Sequence, residues 1–314
     1  MKTNIASRRQ PLARGYLKFT NKLTMNTQFP LRSRLTPSLT MLAALCFGPI
    51  GFTAHAQTPT HQYRLNETGI TAGTTAVDSA GSVNGTYRGN VTSTTVATPS
   101  GDNSAAHFTG TAGTSGDGVG LTGNNVSLLG GLTNFTITAF FQIDADYASA
   151  IRFLYDESQS LDGPKRPTLL LRLDAGGAAQ FGINSNDGSG FHIATANTIT
   201  LATSTWYLLG ATLNASSGLD VFLFDAATRN LLASGHDTFA KAATTTDNAT
   251  IGSWTGAQGS VGQNDPFLGL ISDFRTYNTS LTQQQIAAVP EPATWITMLV
   301  GLGICGYVQR FRRT

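Results

Sequence analysis

The chain has 314 residues, of which 40% are hydrophobic, 12% are charged, 34 are glycine and two are cysteine, so a collagen-like, disulfide-scaffold or strongly nucleic-acid-binding protein is excluded. The formal net charge of +2 is unevenly divided, because residues 1–34 carry 8 of the 20 Lys and Arg and 310–313 carry 3 more. The central residues 57–289 contain 9 basic and 17 acidic residues, a net charge of −8, which argues against a nucleic-acid partner.

Residues 1–56 have the pattern of a secretory leader, with a positively charged region, an apolar region and a small-residue site in that order. The pattern begins only after Met25, which makes Met25 a candidate start of translation. Ala54 and Ala56 form the small-residue site, and we expect a signal peptidase to cleave before Gln57. The apolar run is short for a bilayer span, which disfavours the alternative of an uncleaved membrane anchor.

The periodicity that follows the leader is that of β-strands. Short alternating or apolar runs are rich in β-branched and aromatic residues, and turn residues that tolerate positive φ separate them. Predicted strands include 135–143, 168–173, 179–183, 206–213 and 219–224. These features predict an all-β domain over 57–289, a two-sheet antiparallel jelly-roll sandwich made of consecutive hairpins. One short helix is expected where Thr282 and Gln285 can form a capping box before Pro290.

Seven short motifs along this domain occur in an order that can be compared with known protein families. They are residues 63–67, 77–85, 105–110, 134–139, 204–207, 250–252 and 269–278. Together they resemble the laminin-G-like domains of the concanavalin A-like lectin/glucanase superfamily, over residues 63–286. The resemblance implies a jelly roll that binds glycan or protein. Residues 225–230 depart from the Asn-Gly hairpin of many relatives, so ligand recognition near that turn is not carried over.

The same resemblance nominates Asp78 and Asp273 as ligands of a structural calcium ion, as in some members of the superfamily. Both cysteines, Cys46 and Cys305, fall in targeting segments, so an ion bound by oxygen ligands would help to stabilise a domain that has no disulfide. The alternative is that Asp78 organises its own turn and that Asp273 pairs with Arg275 or another cation.

Trp254 is the candidate platform for a sugar ring, because it lies in a glycine-rich loop with Asn264 close in sequence. An exposed aromatic face can stack on a pyranose while a neighbouring amide binds its hydroxyl groups. Trp206 lies in an apolar strand and is expected in the core. The alternative for Trp254 is that its ring folds back over the edge of the sandwich.

The sequence offers little for hydrolysis of glycans. A glycoside hydrolase needs two carboxyl groups on either side of the scissile bond, yet Glu67 and Glu157 are the only glutamates between residues 57 and 289. Asp144 and Asp146 are the nearest pair, and the solvated end of a strand explains them better. We therefore expect a protein that is not an enzyme, with a secreted glycan-active hydrolase or lyase as the alternative.

The end of the chain has three parts in a fixed order. They are Pro290, Glu291 and Pro292, then an apolar run at 293–308, then Arg310, Arg312 and Arg313. As a helix, the apolar run would be about 24 Å long, which predicts a membrane-spanning segment with the arginines in the cytoplasm. The order resembles the PEP-CTERM sorting signal of Gram-negative bacteria, which implies cleavage by an exosortase. An ordinary C-terminal anchor is the alternative.

These observations combine into one expected function. The chain would pass through the inner membrane, lose its sorting signal to an exosortase, and lie at the cell surface or in the extracellular matrix. There its domain would bind exopolysaccharide or another surface protein, without nucleic acid. A structural spacer that binds no ligand is a further alternative.

Overall fold

The computed structural model describes residues 57–110, 116–121, 127–144, 150–159, 166–244, 248–255 and 261–289, which all belong to one compact unit. These residues form strands and a short helix. In chain order the elements are β1 (His61–Tyr63), β2 (Thr75–Ala76), β3 (Gly85–Arg88), β4 (Thr92–Thr95), β5 (Ser104–Thr109), β6 (Gly118–Gly120), β7 (Phe135–Ile143), β8 (Arg152–Gln159), β9 (Arg166–Leu173), β10 (Ala179–Asn184), β11 (Phe191–Thr195), β12 (Trp206–Asn214), β13 (Gly218–Asp225), β14 (Leu231–Asp237), β15 (Asn248–Ile251), β16 (Trp254–Thr255), β17 (Val261–Asn264), β18 (Leu268–Tyr277) and α1 (Gln283–Ala287).

Two antiparallel sheets of eight strands each make up the domain. The first sheet has the order β14-β13-β12-β7-β18-β5-β4, and β1 also pairs with β18. The second sheet has the order β11-β10-β9-β8-β15-β6-β3-β2, while β16 and β17 form a separate hairpin. The predicted all-β, two-sheet antiparallel fold of the jelly-roll type is confirmed.

The hairpin of β12 and β13 illustrates why these residues form these strands. In β12, side chains alternate between the main core and the outer surface of the sheet, as successive residues of a strand do, and both faces are buried. In the turn, the Asn214 carboxamide oxygen accepts the Ser216 N–H at 2.8 Å. Gly218 then has a φ of 110°, in the left-handed region that favours glycine.

The main core lies between the two sheets, and aromatic pairs join them. Phe135 of the first sheet packs edge-on against Phe181 of the second, with ring centroids 5.9 Å apart. Phe274 and Tyr155 likewise meet across the sandwich, at 4.9 Å. A sandwich core built from the inward-facing residues of both sheets is the expected solution for this fold.

A second apolar cluster lies on the outer surface of the first sheet, and α1 helps to cover it. Phe140, Leu208 and Phe224 contribute to this cluster, and Trp206 packs against it rather than in the main core. Ile286 of α1 is fully buried there. The predicted capping box is confirmed, because the Thr282 hydroxyl accepts the main-chain N–H at position 285 and the side chain there returns a hydrogen bond.

The predicted flanking segments lie outside the described residues. Gln57 is the first described residue, so Ala54, Ala56 and the rest of the leader fall outside, as does the whole sorting signal after 289. No helix within the described residues is long and apolar enough to span a membrane. The leader, the sorting signal and the membrane-spanning helix at 293–308 stay predictions.

Candidate functional site

The β16–β17 hairpin places Trp254 on the second sheet. The Trp254 ring stacks on Phe153 at the start of β8, with centroids 6.2 Å apart and ring planes 24° from parallel. One face of the indole is therefore in contact with the sandwich. This agrees with the alternative prediction that the Trp254 ring folds back over the sandwich. Asn264 pairs with Trp254 across the hairpin through the backbone, and its side chain lies outside the described part of the chain.

Main-chain hydrogen bonds hold this hairpin against β8. The Phe153 N–H donates to the Asp265 carbonyl at 3.1 Å, and the Gly252 N–H donates to the Leu154 carbonyl at 2.9 Å. Gly252 has a φ of 80°, and a side chain there would collide with the buried Phe108 ring. Glycine is therefore required at the point where the chain leaves β15 and enters the hairpin.

Arg172 extends the aromatic pair across the neighbouring strand. It pairs with Phe153 in the β8–β9 ladder and points outward, because Leu171 and Leu173 on either side of it face the main core. The guanidinium carbon of Arg172 lies 5.7 Å from the Phe153 ring centroid, and its Nε donates to the Gln180 carboxamide oxygen at 2.8 Å. An arginine above an aromatic ring is a favourable cation–π contact.

Charged groups surround these rings. Burial raises the pKa of Asp265, although the nearby positive charges of Arg152 and Arg172 oppose this shift. Burial also lowers the pKa of Arg172, against the effect of the carboxylates of Asp174 and Asp265. Arg152 is anchored by a hydrogen bond from its Nη1 to the carbonyl of residue 266 at 3.2 Å. We call Arg152, Phe153, Arg172, Gln180, Trp254 and Asp265 the Trp254 patch.

Two donors in the Trp254 patch lack partners within the described residues. The indole Nε1 of Trp254 and the Nε of Arg152 are both buried and form no hydrogen bond there. A buried polar group without a partner costs about 1–3 kcal/mol. These two donors are not open to a ligand in this conformation. The partly exposed Trp254 ring, the Arg172 guanidinium and the Asp265 carboxylate are the groups of the patch that can contact a sugar ring and its hydroxyl groups.

Asp78, the first calcium candidate, lies buried at an isolated bridge between the start of the domain and a turn. One carboxylate oxygen lies 2.7 Å from His61 Nδ1, and the two oxygens accept four main-chain N–H groups. Burial by itself would raise the pKa of Asp78. The hydrogen bonds from His61 and from the main chain outweigh burial and hold that pKa below its usual value.

Asp273, the second candidate, lies at an irregular point in β18. Its φ of 50° accompanies a bulge, where β18 stops pairing with β5 and begins pairing with β1. Its carboxylate pairs with the guanidinium of Arg275, and the Gln62 amide donates to it at 2.6 Å. The main-chain N–H of Gln62 donates to Asp78 at 3.0 Å, so one residue bonds to both carboxylates.

These contacts show whether Asp78 and Asp273 have carboxylate oxygens available to bind a shared calcium ion. The oxygens of Asp78 and Asp273 already accept hydrogen bonds from N–H donors, and the Arg275 cation occupies the second carboxylate. Such a set does not fit a calcium ion shared by the two residues. No cluster of three or more His, Cys, Asp or Glu residues that could hold a metal ion occurs in the described ranges. Calcium binding itself stays a prediction.

Both glutamates of the domain hold neighbouring segments in place. The buried Glu157 carboxylate accepts hydrogen bonds from the Tyr155 hydroxyl at 2.6 Å and from the Leu129 and Gly130 N–H groups at 2.9 and 3.0 Å. Glu67 accepts one hydrogen bond from a main-chain N–H at 2.9 Å and one from a buried tyrosine hydroxyl at 2.7 Å. Asp144 pairs with a histidine, and Asp146 lies outside the described residues.

The sequence matches a laminin G-type family model, described as the concanavalin A-like lectin/glucanases superfamily, over residues 112–287. This match covers more than half of the chain and agrees with the two-sheet fold. The chain belongs to this superfamily. A search of curated proteins found no match.

Solved structures resemble the fold of this superfamily member at low sequence identity. The botulinum neurotoxin serotype D ligand binding domain, in complex with N-acetylneuraminic acid, is 13% identical with a TM-score of 0.50. That comparison covers 74% of this chain and 50% of the neurotoxin chain, so the superfamily member spans half of it. The CBM40 of the Ruminococcus gnavus IT-sialidase, bound to alpha2,3 sialyllactose, is 19% identical with a TM-score of 0.39, covering 50% of this chain and 83% of that one.

Sequence reasoning missed most of the Trp254 patch. It identified Trp254 and noted the polar residues after it, but Phe153 and Arg152 gave no recognisable signal. Arg172 did carry one, because a single arginine inside the leucine run of β9 must point away from the core if its neighbours point inward. This signal places Arg172 on the outer face without saying what it contacts there.

Proposed function

We propose that this superfamily member is a glycan-binding protein of the cell surface or extracellular matrix, and that the Trp254 patch is its glycan contact surface. The observation that carries the proposal is the stack of the partly exposed Trp254 ring on Phe153, which is flanked by Arg172. Protein surfaces that bind sugars need such a combination of aromatic and polar groups.

The balance of charge in the patch favours a ligand rich in hydroxyl groups. Two arginine side chains supply donors, while Asp265 and Gln180 supply acceptors. Hydroxyl groups can both donate and accept hydrogen bonds, so a polysaccharide can bond to donors and acceptors in the same patch. The remainder of the domain carries a net negative charge and many small polar residues, which suit a hydrated matrix.

The contacts of the two glutamates support binding rather than hydrolysis. Glu67 and Glu157 each bond to main-chain N–H and tyrosine hydroxyl groups, so neither is held as a free acid or base. A hydrolase of this fold would need two such groups facing the same sugar. A secreted hydrolase or lyase would therefore have to use other residues.

Export and processing complete the proposal. The pattern before Gln57 would bring the domain across the inner membrane, with cleavage by a signal peptidase. The segment that begins at Pro290 would direct the C-terminus to an exosortase, after which the domain would remain among exopolysaccharide. Mass spectrometry of the mature protein would test both steps, and a chain that still contained 1–56 or 290–314 would contradict them.

Binding of the full-length chain to exopolysaccharide from its source organism and to a glycan array tests the main proposal. We expect specific binding that Trp254→Ala weakens by about tenfold, the equivalent of about 1.4 kcal/mol. Phe191→Ala is the matched control, because it removes an exposed aromatic ring from the same sheet but outside the patch. Parallel measurements with calcium and with chelator test the predicted ion.

Two results would overturn this assignment. If the Trp254 and Phe191 variants bind as well as the parent chain, the patch is not the contact surface. If no glycan binds under either calcium condition, the domain is a protein-binding module or a spacer.

A further inference from the structure

A separate cleft opens on the outer surface of the first sheet, beside the start of α1. Its volume is about 200 Å³. The β12–β13 hairpin forms one side through Asn214, Ser217, Asp220 and Phe222, and residues 280–283 form the other. We call this space the α1 cleft, and all of its lining residues belong to the described part of the chain.

The fold of the sheet determines the floor of the α1 cleft. Position 210 of β12 is a glycine, and a side chain there would lie 2.5 Å from Ile286 of α1. Because position 210 has no side chain, α1 can pack directly on the sheet. Leu281, just before α1, packs in the second apolar cluster with Ile286. The adjacent Phe222 is only partly buried by that cluster, so it contributes an apolar surface to the cleft.

Several polar groups that line the α1 cleft are not used by the fold. Asp220 contacts His236 through Oδ1 at 2.8 Å, while its Oδ2 has no hydrogen-bond partner among the described residues. The hydroxyl of Ser217 and the carboxamide of Gln283 likewise form no hydrogen bond within the described ranges. The α1 cleft therefore has both hydrogen-bond donors and acceptors in its lining, beside the apolar surface of Phe222.

One end of the α1 cleft is closed. The Asn214 carboxamide donates to the Ser280 hydroxyl at 3.0 Å and so joins the hairpin to the segment before α1. A polymer could not pass through this end, but a terminal ring or a side branch could enter from the open side. The volume is below the usual 300–1,000 Å³ of small-molecule pockets, so the occupant must be small.

We infer that the α1 cleft binds one uncharged pyranose ring at the end or branch of a glycan, as a second site distinct from the Trp254 patch. The apolar face of the ring would lie on Phe222, and its hydroxyl groups would bond to Asp220, Ser217 and Gln283. The choice of a sugar as ligand rests on the proposed function, whereas the cleft and its unused polar groups do not.

Amide chemical shifts of the isotopically labelled full-length chain test this inference. The probes are the methyl glycosides of glucose, galactose and mannose, with acyclic sorbitol as a control for unspecific polyol effects. We expect at least one pyranoside, but not sorbitol, to shift the amides of 214–222 and 280–283. Ser217→Tyr should fill the cleft and weaken this binding by about tenfold.

Ser216→Tyr is the matched control, because Ser216 is an exposed residue of the same turn that does not line the cleft. Asp220→Asn is a second variant that keeps the shape and removes the charge, and it should also weaken binding. The inference is overturned if no pyranoside shifts these amides, or if binding persists unchanged in both the Ser217 and Asp220 variants.

The two proposals fail in different ways. If Trp254→Ala abolishes polysaccharide binding while the cleft variants change nothing, the Trp254 patch stands and the second site is wrong. If the cleft binds a pyranoside but Trp254→Ala has no effect on polysaccharide, the second site stands and the patch is wrong. Loss of folding in a variant is recognised from collapse of its amide spectrum, and the other cleft variant then decides.

Discussion

Replacement of Asp78 tests how β1 is held in place in the domain. Its buried carboxylate accepts four main-chain hydrogen bonds, which come from Gln62, Ala80, Gly81 and Val83. Asp78→Ala would remove the acceptor and leave these donors unpaired. It would also leave His61 without the carboxylate that now lies 2.7 Å from its ring nitrogen.

The expected loss follows from these contacts. Each buried donor that loses its partner costs about 1–3 kcal/mol, but water can enter the space left by the carboxylate and restore part of this. We therefore expect Asp78→Ala to lower the free energy of unfolding by about 3 kcal/mol. For a domain of this size, that change corresponds to a decrease in Tm of about 6–12 °C.

The dependence on pH has a definite sign. Because the pKa of Asp78 is lower in the folded state, its contribution is present above the unfolded pKa of about 3.9 and disappears as the pH falls through the folded value. The Tm difference between the parent chain and Asp78→Asn should therefore be large at pH 7 and shrink below about pH 4.

Calorimetry of the parent chain and its variants measures these effects. Asp174→Ala serves as a control, because Asp174 accepts two main-chain N–H groups in a turn that is open to solvent. We expect a much smaller loss there. The reasoning would be refuted if Asp78→Ala cost no more than Asp174→Ala. If chelator lowered the parent Tm as much as Asp78→Ala does, Asp78 would act as a metal ligand.

Two further predictions concern packing and the buried ion pair. Gly210→Ala should lower the free energy of unfolding by about 1–3 kcal/mol, because the new methyl group would collide with Ile286. Ile286→Ala should lower this free energy less in the Gly210→Ala variant than in the parent chain. Arg275→Met should cost about 3–5 kcal/mol by leaving Asp273 charged and buried, whereas the double variant with Asp273→Asn should recover part of this. Denaturant unfolding measures the free energies of the single and double variants. Either prediction is contradicted if the effects of its two substitutions simply add.

The strands and their turns could be predicted because their signals are local. Residues 135–143 alternate and carry β-branched and aromatic side chains, and they form β7 over the same span. The predicted turn between β12 and β13 is also present, because the Asn214 side chain accepts a main-chain N–H and Gly218 adopts a positive φ that other residues disfavour. Only neighbouring residues decide such features, so a single sequence contains the necessary information.

The site was harder to predict because it depends on contacts between distant parts of the chain. Trp254 meets Phe153 only because β16 folds back on β8, about a hundred residues earlier. The register of β8 with β9 then brings Arg172 above the same ring. For Asp273, the sequence left open a calcium ion or Arg275 as the partner, and only the bulge in β18 brings the arginine onto the carboxylate.

The positions of the two candidate sites have a consequence for function. The Trp254 patch lies on the outer surface of the second sheet, and the α1 cleft lies on the outer surface of the first, so the core separates them. A glycan chain bound at one site would not block the other. Sites of modest affinity on opposite faces would let a single domain join two glycan chains, and many such domains would hold a matrix through multivalency. One such domain could then crosslink polysaccharide without forming oligomers.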